Sequence, residues 1–209
     1  QNTTTPSIVA ASSPSIICGG STSTLTATGA NTYTWTPCAI ISSSIVVTPT
    51  ATSVYSVSGT NTISGCQSTS TVAVTVNSLP VINATASSPN ICNGSSATIT
   101  SSGANTYTTI PGNLTGSFVL VFPPNTSTTT YTVSGTNTVT GCVNTKTVSI
   151  STNPNPTVSI ASNPTTICSG SSATMTASGA VSYTWNPGSL TGSSITVNPA
   201  STTIYTITG

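Results

Sequence analysis

One unit is written three times along this chain, and the repeat constrains the fold more than any single motif does. Ile17-Cys18-Gly19-Gly20-Ser21 returns as Ile91-Cys92-Asn93-Gly94-Ser95 and as Ile167-Cys168-Ser169-Gly170-Ser171. Gly29-Ala30-Asn31-Thr32-Tyr33 returns as Gly103-Ala104-Asn105-Thr106-Tyr107 and as Gly179-Ala180-Val181-Ser182-Tyr183. The cysteine offsets are 74 and then 76 residues. Gly59-Thr60-Asn61, running on to Gly65-Cys66, returns as Gly135-Thr136-Asn137, running on to Gly141-Cys142. The third copy reaches Thr208-Gly209 where this motif begins. These spacings predict three domains, residues 1–78, 79–154 and 155–209, with the third truncated before its last strand.

Within a unit, apolar and hydroxyl residues alternate, the pattern of strands with one buried face. The 48 Thr and 38 Ser supply the outer faces, and 16 Gly and 14 Pro supply turns. Nothing has helical periodicity, so the fold class is all-β, a sandwich of about seven short strands per unit. In the first unit the strands are expected near residues 7–11, 21–28, 31–36, 44–48, 53–58 and 69–76, with a short extended piece at 15–18. Parity then assigns Leu25, Ala27, Tyr33, Trp35, Ile45, Val47, Tyr55, Val57, Val72, Val74 and Val76 to the core. In the second unit it assigns Ile99, Tyr107, Val119, Val121, Tyr131, Val133, Val148 and Ile150. In the third it assigns Met175, Tyr183, Trp185, Ile195, Val197 and Tyr205. The linkers at residues 77–80 and 153–156 carry proline and are expected to be short and stiff.

Charge removes most chemistry. The chain has one Lys or Arg, no Asp or Glu, and no His. Acid–base catalysis draws on the missing residue types, metal sites draw on carboxylates, His or clustered Cys, and nucleic-acid binding draws on several cations. The sequence therefore points to no enzyme, no cofactor, no metal and no nucleic-acid partner. No run of about 18 apolar residues marks a membrane span. Lys146 is the single cation. A Ser–Lys dyad asks for Ser three residues before it, and Val143 stands there, so Lys146 reads as a solubilising charge near a strand end.

Four features together resemble a known family: the C-x-G-S start, the GA-x-x-YTW strand, the P-x-x-T-x-x-Y-T-V-x-G segment and the G-T-N-T-x-T/S-G-C loop. The family is the immunoglobulin-like repeats of large secreted and cell-surface proteins of Bacteroidota, including gliding adhesins and type IX secretion cargo. The resemblance covers essentially the whole chain. It implies Ig-like sandwiches serving as stalks and adhesin bodies. Those repeats usually carry some Asp, and this chain has none.

Two cysteines per complete unit suggest one disulfide within each, Cys18–Cys66 and Cys92–Cys142, and so an oxidising, extracellular setting. Buried free thiols are the alternative. Cys38 and Cys168 are left over, either unpaired or bonded between molecules. Asn-x-Ser/Thr sequons at Asn2, Asn83, Asn93, Asn113 and Asn125 are no more frequent than this composition gives by chance, and they argue for nothing.

The strand readings Ser44–Thr48 and Ser194–Asn198 place small polar residues outward, whereas residues 118–122 place Phe118, Leu120 and Phe122 there. Either this stripe is an interface with a neighbouring domain or subunit, or a register shift in the second unit turns it inward. The expectation is a structural protein of the bacterial exterior, with itself as its main partner: a stalk, an adhesin body or a filament. A subunit completed by strand exchange between chains is the first rival. A carbohydrate-binding module with a surface glycan ligand is the second, weakened because the Trp and Tyr residues fall on core parity.

Overall fold

Alternating hydroxyl and apolar residues leave each strand one face for water and one for a core, and the chain meets that demand with sheets alone. The computed structural model describes residues 4–124 and 127–209, and these form 22 strands and no helix. The first repeat holds β1 (Val9–Ser13), β2 (Ile16–Cys18), β3 (Ser23–Thr28), β4 (Thr32–Thr36), β5 (Ile40–Ile41), β6 (Ser44–Val47), β7 (Ser53–Thr60) and β8 (Gln67–Asn77). One sheet has the order β1-β3-β6 and the other β2-β8-β7-β4-β5. Every pairing in this repeat is antiparallel except that of β2 with β8, which sets Ile16 beside Thr75 and Cys18 beside Asn77.

The second repeat holds β9 (Asn83–Ala86), β10 (Asn90–Cys92), β11 (Ala97–Ser102), β12 (Thr106–Ile110), β13 (Leu114–Thr115), β14 (Phe118–Val121), β15 (Thr128–Thr136) and β16 (Val143–Asn153). Its sheets run β14-β11-β9 and β10-β16-β15-β12-β13. The third holds β17 (Ser159–Asn163), β18 (Ala173–Ser178), β19 (Thr184–Asn186), β20 (Leu190–Thr191), β21 (Ser194–Val197) and β22 (Thr206–Thr208), in sheets β17-β18-β21 and β20-β19-β22. Strands matching β2 and β8 are absent from it among the described residues. The protein is all-β, a tandem array of Ig-like sandwiches. By its contacts it divides into two compact units: residues up to Pro89 with Ser96–Pro123 and Thr128–Ser151, and Asn90–Ser95 with Pro124–Ser127 and Thr152–Gly209.

Parity locates the core. Leu25, Trp35, Val57 and Val74 are fully buried, and Tyr33, Ile45, Val47 and Tyr55 pack with them. Val72 and Val76 are only half-buried, as are Val148 and Tyr205. The complete repeats have eight strands, not seven. The extra ones are the two-residue β5 and β13, too short for alternation to register. The first strand starts at Val9, not residue 7, and half-buries Ala10 and Ser12.

The Gly-Ala-x-x-Tyr motif is a closed local device. The Ala30 N–H donates to the Tyr33 hydroxyl at 2.8 Å, and that hydroxyl donates to Ala30 O at 2.8 Å. Tyr107 with Ala104 and Tyr183 with Ala180 repeat it. Gly29 has φ +98°, and a Cβ there would collide with Ser7 O, so only glycine fits.

Candidate functional site

The last strand of a complete repeat fixes what its cysteines can reach. Cys18 pairs with Asn77 at one end of β8, and Cys66 directly precedes Gln67 at the other. The 11 residues of β8 span roughly 30 Å at about 3.3 Å each, whereas a disulfide needs Cα atoms within about 7 Å. Bonds Cys18–Cys66 and Cys92–Cys142 are therefore out of reach, which corrects the pairing expected from counting. The structure instead joins Cys18 of the first repeat to Cys142 of the second, with Cα atoms 5.6 Å apart and a sequence separation of 124. Cys66 is half-buried and free, and Cys38, Cys92 and Cys168 are exposed and free.

This junction is built from two loops. Cys142 ends a tight loop in which Asn137 N–H donates to Cys142 O at 2.9 Å and Gly141 N–H to Asn137 O at 2.8 Å. The Asn137 side chain accepts from Val139 N–H at 3.0 Å, which is why asparagine stands in the G-T-N-T motif. Cys142 is 0% exposed, and its Sγ lies 4.0 Å from Asn77 O. Beside it, Asn144 Nδ2 donates to Pro80 O at 2.9 Å, tying the linker down. On the other side the Cys18 turn closes with Ser21 N–H donating to Cys18 O at 2.9 Å. The bond closes a loop long enough to stabilise the fold by roughly 5 kcal/mol in the chain-entropy account.

The apolar stripe lies on the outside. β14 pairs with β11 so that Phe118 stands opposite Thr100 and Leu120 opposite Thr98. Val119 and Val121 are buried, whereas Phe118 is 72%, Leu120 52% and Phe122 66% exposed. No register shift has turned the stripe inward. The cross-strand partners of Phe118 and Leu120 on this outer face are threonines.

A cavity of about 620 Å³ runs between Ile167, Cys168, Met175, Val197 and Tyr205. Lys146 is exposed on β16. Among the described residues no three metal-ligating side chains gather. Burial pushes the Tyr131 phenol above its ordinary value. Of the sequons, Asn2 and Asn125 lie outside the described residues.

No family model and no curated protein matches the chain. Among solved structures it is similar to three N-terminal domains of the Highly Immunogenic Outer Capsid protein of bacteriophage RB49. That match has 15% identity and a TM-score of 0.33 over 93% of this chain and 79% of that one. It is also similar to fibronectin(III)-like modules of Clostridium thermocellum CbhA, with 10% identity and a TM-score of 0.33 over 70% and 95%. A three-domain Ig piece of titin gives 12% identity and a TM-score of 0.29 over 84% and 76%. These likenesses carry no argument about function; the Ig-like fold stands on the strand order and sheet pairing described above.

Proposed function

We propose that this chain is a non-enzymatic structural protein of the bacterial cell exterior, its repeats at residues 1–78, 79–154 and 155–209 forming a stalk, adhesin body or extracellular filament of the Bacteroidota type. The observation that carries this reading is the Cys18–Cys142 bond, which staples one sandwich to the next rather than closing either on itself. A staple across a junction stiffens an array, and it persists in oxidising compartments. The uncharged surface supports the same reading. With one cation and no anion, long-range repulsion is nearly nil, so copies can meet through apolar side chains and hydroxyls. Phe118, Leu120 and Phe122 supply one such lateral contact.

One experiment tests this reading. Native material is imaged by electron microscopy, and its non-reduced peptides are mapped by mass spectrometry. Filaments or surface projections carrying the Cys18–Cys142 link are expected. Dispersed monomers with both thiols reduced, recovered from the cell interior, overturn the proposal.

A further inference from the structure

β14 closes one side of its sheet, and the way it meets β11 decides what that side offers. Antiparallel partners alternate between residues that exchange both backbone hydrogen bonds and residues that exchange none. Ser101 N–H donates to Ser117 O at 2.8 Å, so this pair exchanges bonds, and by alternation so do Ile99 with Val119 and Ala97 with Val121. Thr98 fixes the same phase from the other side. Its carbonyl accepts from Ser87 N–H at 2.8 Å and its N–H donates to Ser87 Oγ at 3.0 Å, both away from β14. The Thr100–Phe118 and Thr98–Leu120 pairs therefore exchange nothing. The backbone N–H and C=O of Phe118 and Leu120 point to the outer edge, where, among the described residues, no strand follows.

The same positions carry the exposed apolar side chains, so one row presents both unpaired backbone and apolar surface. Phe122, one residue beyond the strand, keeps this parity. Edge strands are ordinarily guarded by charge, proline or a bulge. From Ser117 to Phe122 there is no charge and no proline. Interruptions stand only at the ends: Gly116 at φ +117° before the strand, and Pro123-Pro124 after it. The first and third repeats hold the same edge, with Ala27 N–H donating to Ser43 O at 2.9 Å and Ala177 N–H to Ser193 O at 2.8 Å. They line it with Ser44, Val46 and Thr48, or with Ser194, Thr196 and Asn198. The frame therefore does not require an apolar row.

We propose that β14 of one copy pairs edge to edge, antiparallel, with β14 of a second copy, about a twofold axis at Leu120. The occupant is a second copy because the row is complementary to itself. Phe118 and Phe122 stand two residues either side of Leu120. A twofold there sets each Phe118 opposite the other copy's Phe122 as an aromatic cross-strand pair, and outward N–H groups meet outward C=O groups. The one charged side chain, Lys146, is on β16 in the other sheet, so no charge opposes the approach. The stripe offers roughly 300 Å² of apolar surface per copy, given the 150–250 Å² that a whole aromatic buries. A stable interface takes about 800 Å² per partner. The pairing is thus reversible, and concentration sets its population. It is isologous and closed, joining two chains side by side.

This pairing rests on the proposed lateral contact between copies and gives it a geometry, and the test keeps the two apart. Chain 1–209 with Cys38, Cys66, Cys92 and Cys168 replaced by Ser is the parent. One new cysteine is added at a time, and the protein is oxidised with glutathione disulfide. Leu120→Cys should give a disulfide-linked dimer, because directly opposed residues stand about 5.5 Å apart, inside the limit of about 7 Å. Phe118→Cys alone should link at least tenfold less, and mixing it with Phe122→Cys should restore the link. Val46→Cys, at the matching place in the first repeat, should link no more than the parent does. Sedimentation of the parent should show a monomer–dimer equilibrium that Phe118→Ser with Phe122→Ser weakens at least tenfold. Dimers in which Phe118→Cys links to itself as readily as Leu120→Cys does overturn the edge pairing and leave a lateral contact standing. Dimers or filaments indifferent to the two serines overturn the pairing and the role of the stripe, and leave the structural reading standing. If copies associate in no form, the pairing and the reading beneath it both fail.

Discussion

The first and second repeats share one backbone plan and place their apolar residues differently. Trp35 fills the first core, with its indole N–H donating to Ser42 O at 3.0 Å. The second repeat has Thr109 there, also 0% exposed, and its hydroxyl has no partner. Ala27 becomes Ser101 and Val76 becomes Thr152, and these buried hydroxyls are unpartnered too. On the outer face the exchange runs the other way: Ser44, Val46 and Thr48 become Phe118, Leu120 and Phe122. The second repeat thus has a poorer interior and a more apolar exterior on the same frame. A sandwich whose registers are held by its ladders and its Tyr–Ala closures tolerates a weakened core, and an outer face free of packing duty can change its chemistry entirely.

The comparison can be broken at its centre by moving one side chain. Trp35→Thr gives the first repeat the second repeat's core residue and should cost about 3–5 kcal/mol, as large-to-small core changes do. Hydrogen exchange of the β4 and β7 amides would report it, and a loss under about 1 kcal/mol would show that the second repeat's interior is not the weaker one. The converse change is smaller. Thr109→Val keeps the volume and removes an unpartnered buried hydroxyl, so β12 amides should gain about 1 kcal/mol; a loss would mean that the hydroxyl has a partner.

Near neutrality the response to pH is smaller still. With no Asp, Glu or His, no side chain takes up a proton between neutrality and pH 2, and acid should leave the denaturation midpoint flat. At the alkaline end, burial holds the Tyr131 proton more tightly in the folded chain. Its contribution is whole below the ordinary tyrosine value of about 10 and is lost as pH rises through the raised folded value. Tyr131→Phe should remove that part of the slope. The smallest stability effect belongs to the double change Phe118→Ser and Phe122→Ser, within about 0.5 kcal/mol for exposed sites. Assembly should fail with the melting temperature unchanged, and a collapse of the monomer would instead place the stripe in the core.

Alternation was enough to read most of this fold. Leu25, Tyr33, Trp35 and Val57 fall on one parity and are buried, and Phe118 and Phe122 fall on the other and are exposed. Ile17 was missed: it is 6% exposed, yet its strand β2 has three residues, too few to show a period. The disulfide was misread for a different reason. Two cysteines per repeat look like a pair when counted, but the length of the strand between Cys66 and Asn77 already forbids it. That strand was visible as Val72-Ala73-Val74-Thr75-Val76, so the distance was legible even though the true partner was not. Nothing local marks Cys142 as the mate of Cys18, because their proximity comes from how the linker at Pro80 is pinned.

That bond also changes what a pulling force would meet. Tension passed from one end of the chain to the other crosses from Cys18 to Cys142 through sulfur and bypasses the chain between them, a sequence separation of 124. At roughly 3.4 Å per extended residue, about 420 Å of contour stays hidden until a reductant opens the bond. The stretch from Cys18 to Cys142 is then a short link when oxidised and a long, yielding one when reduced.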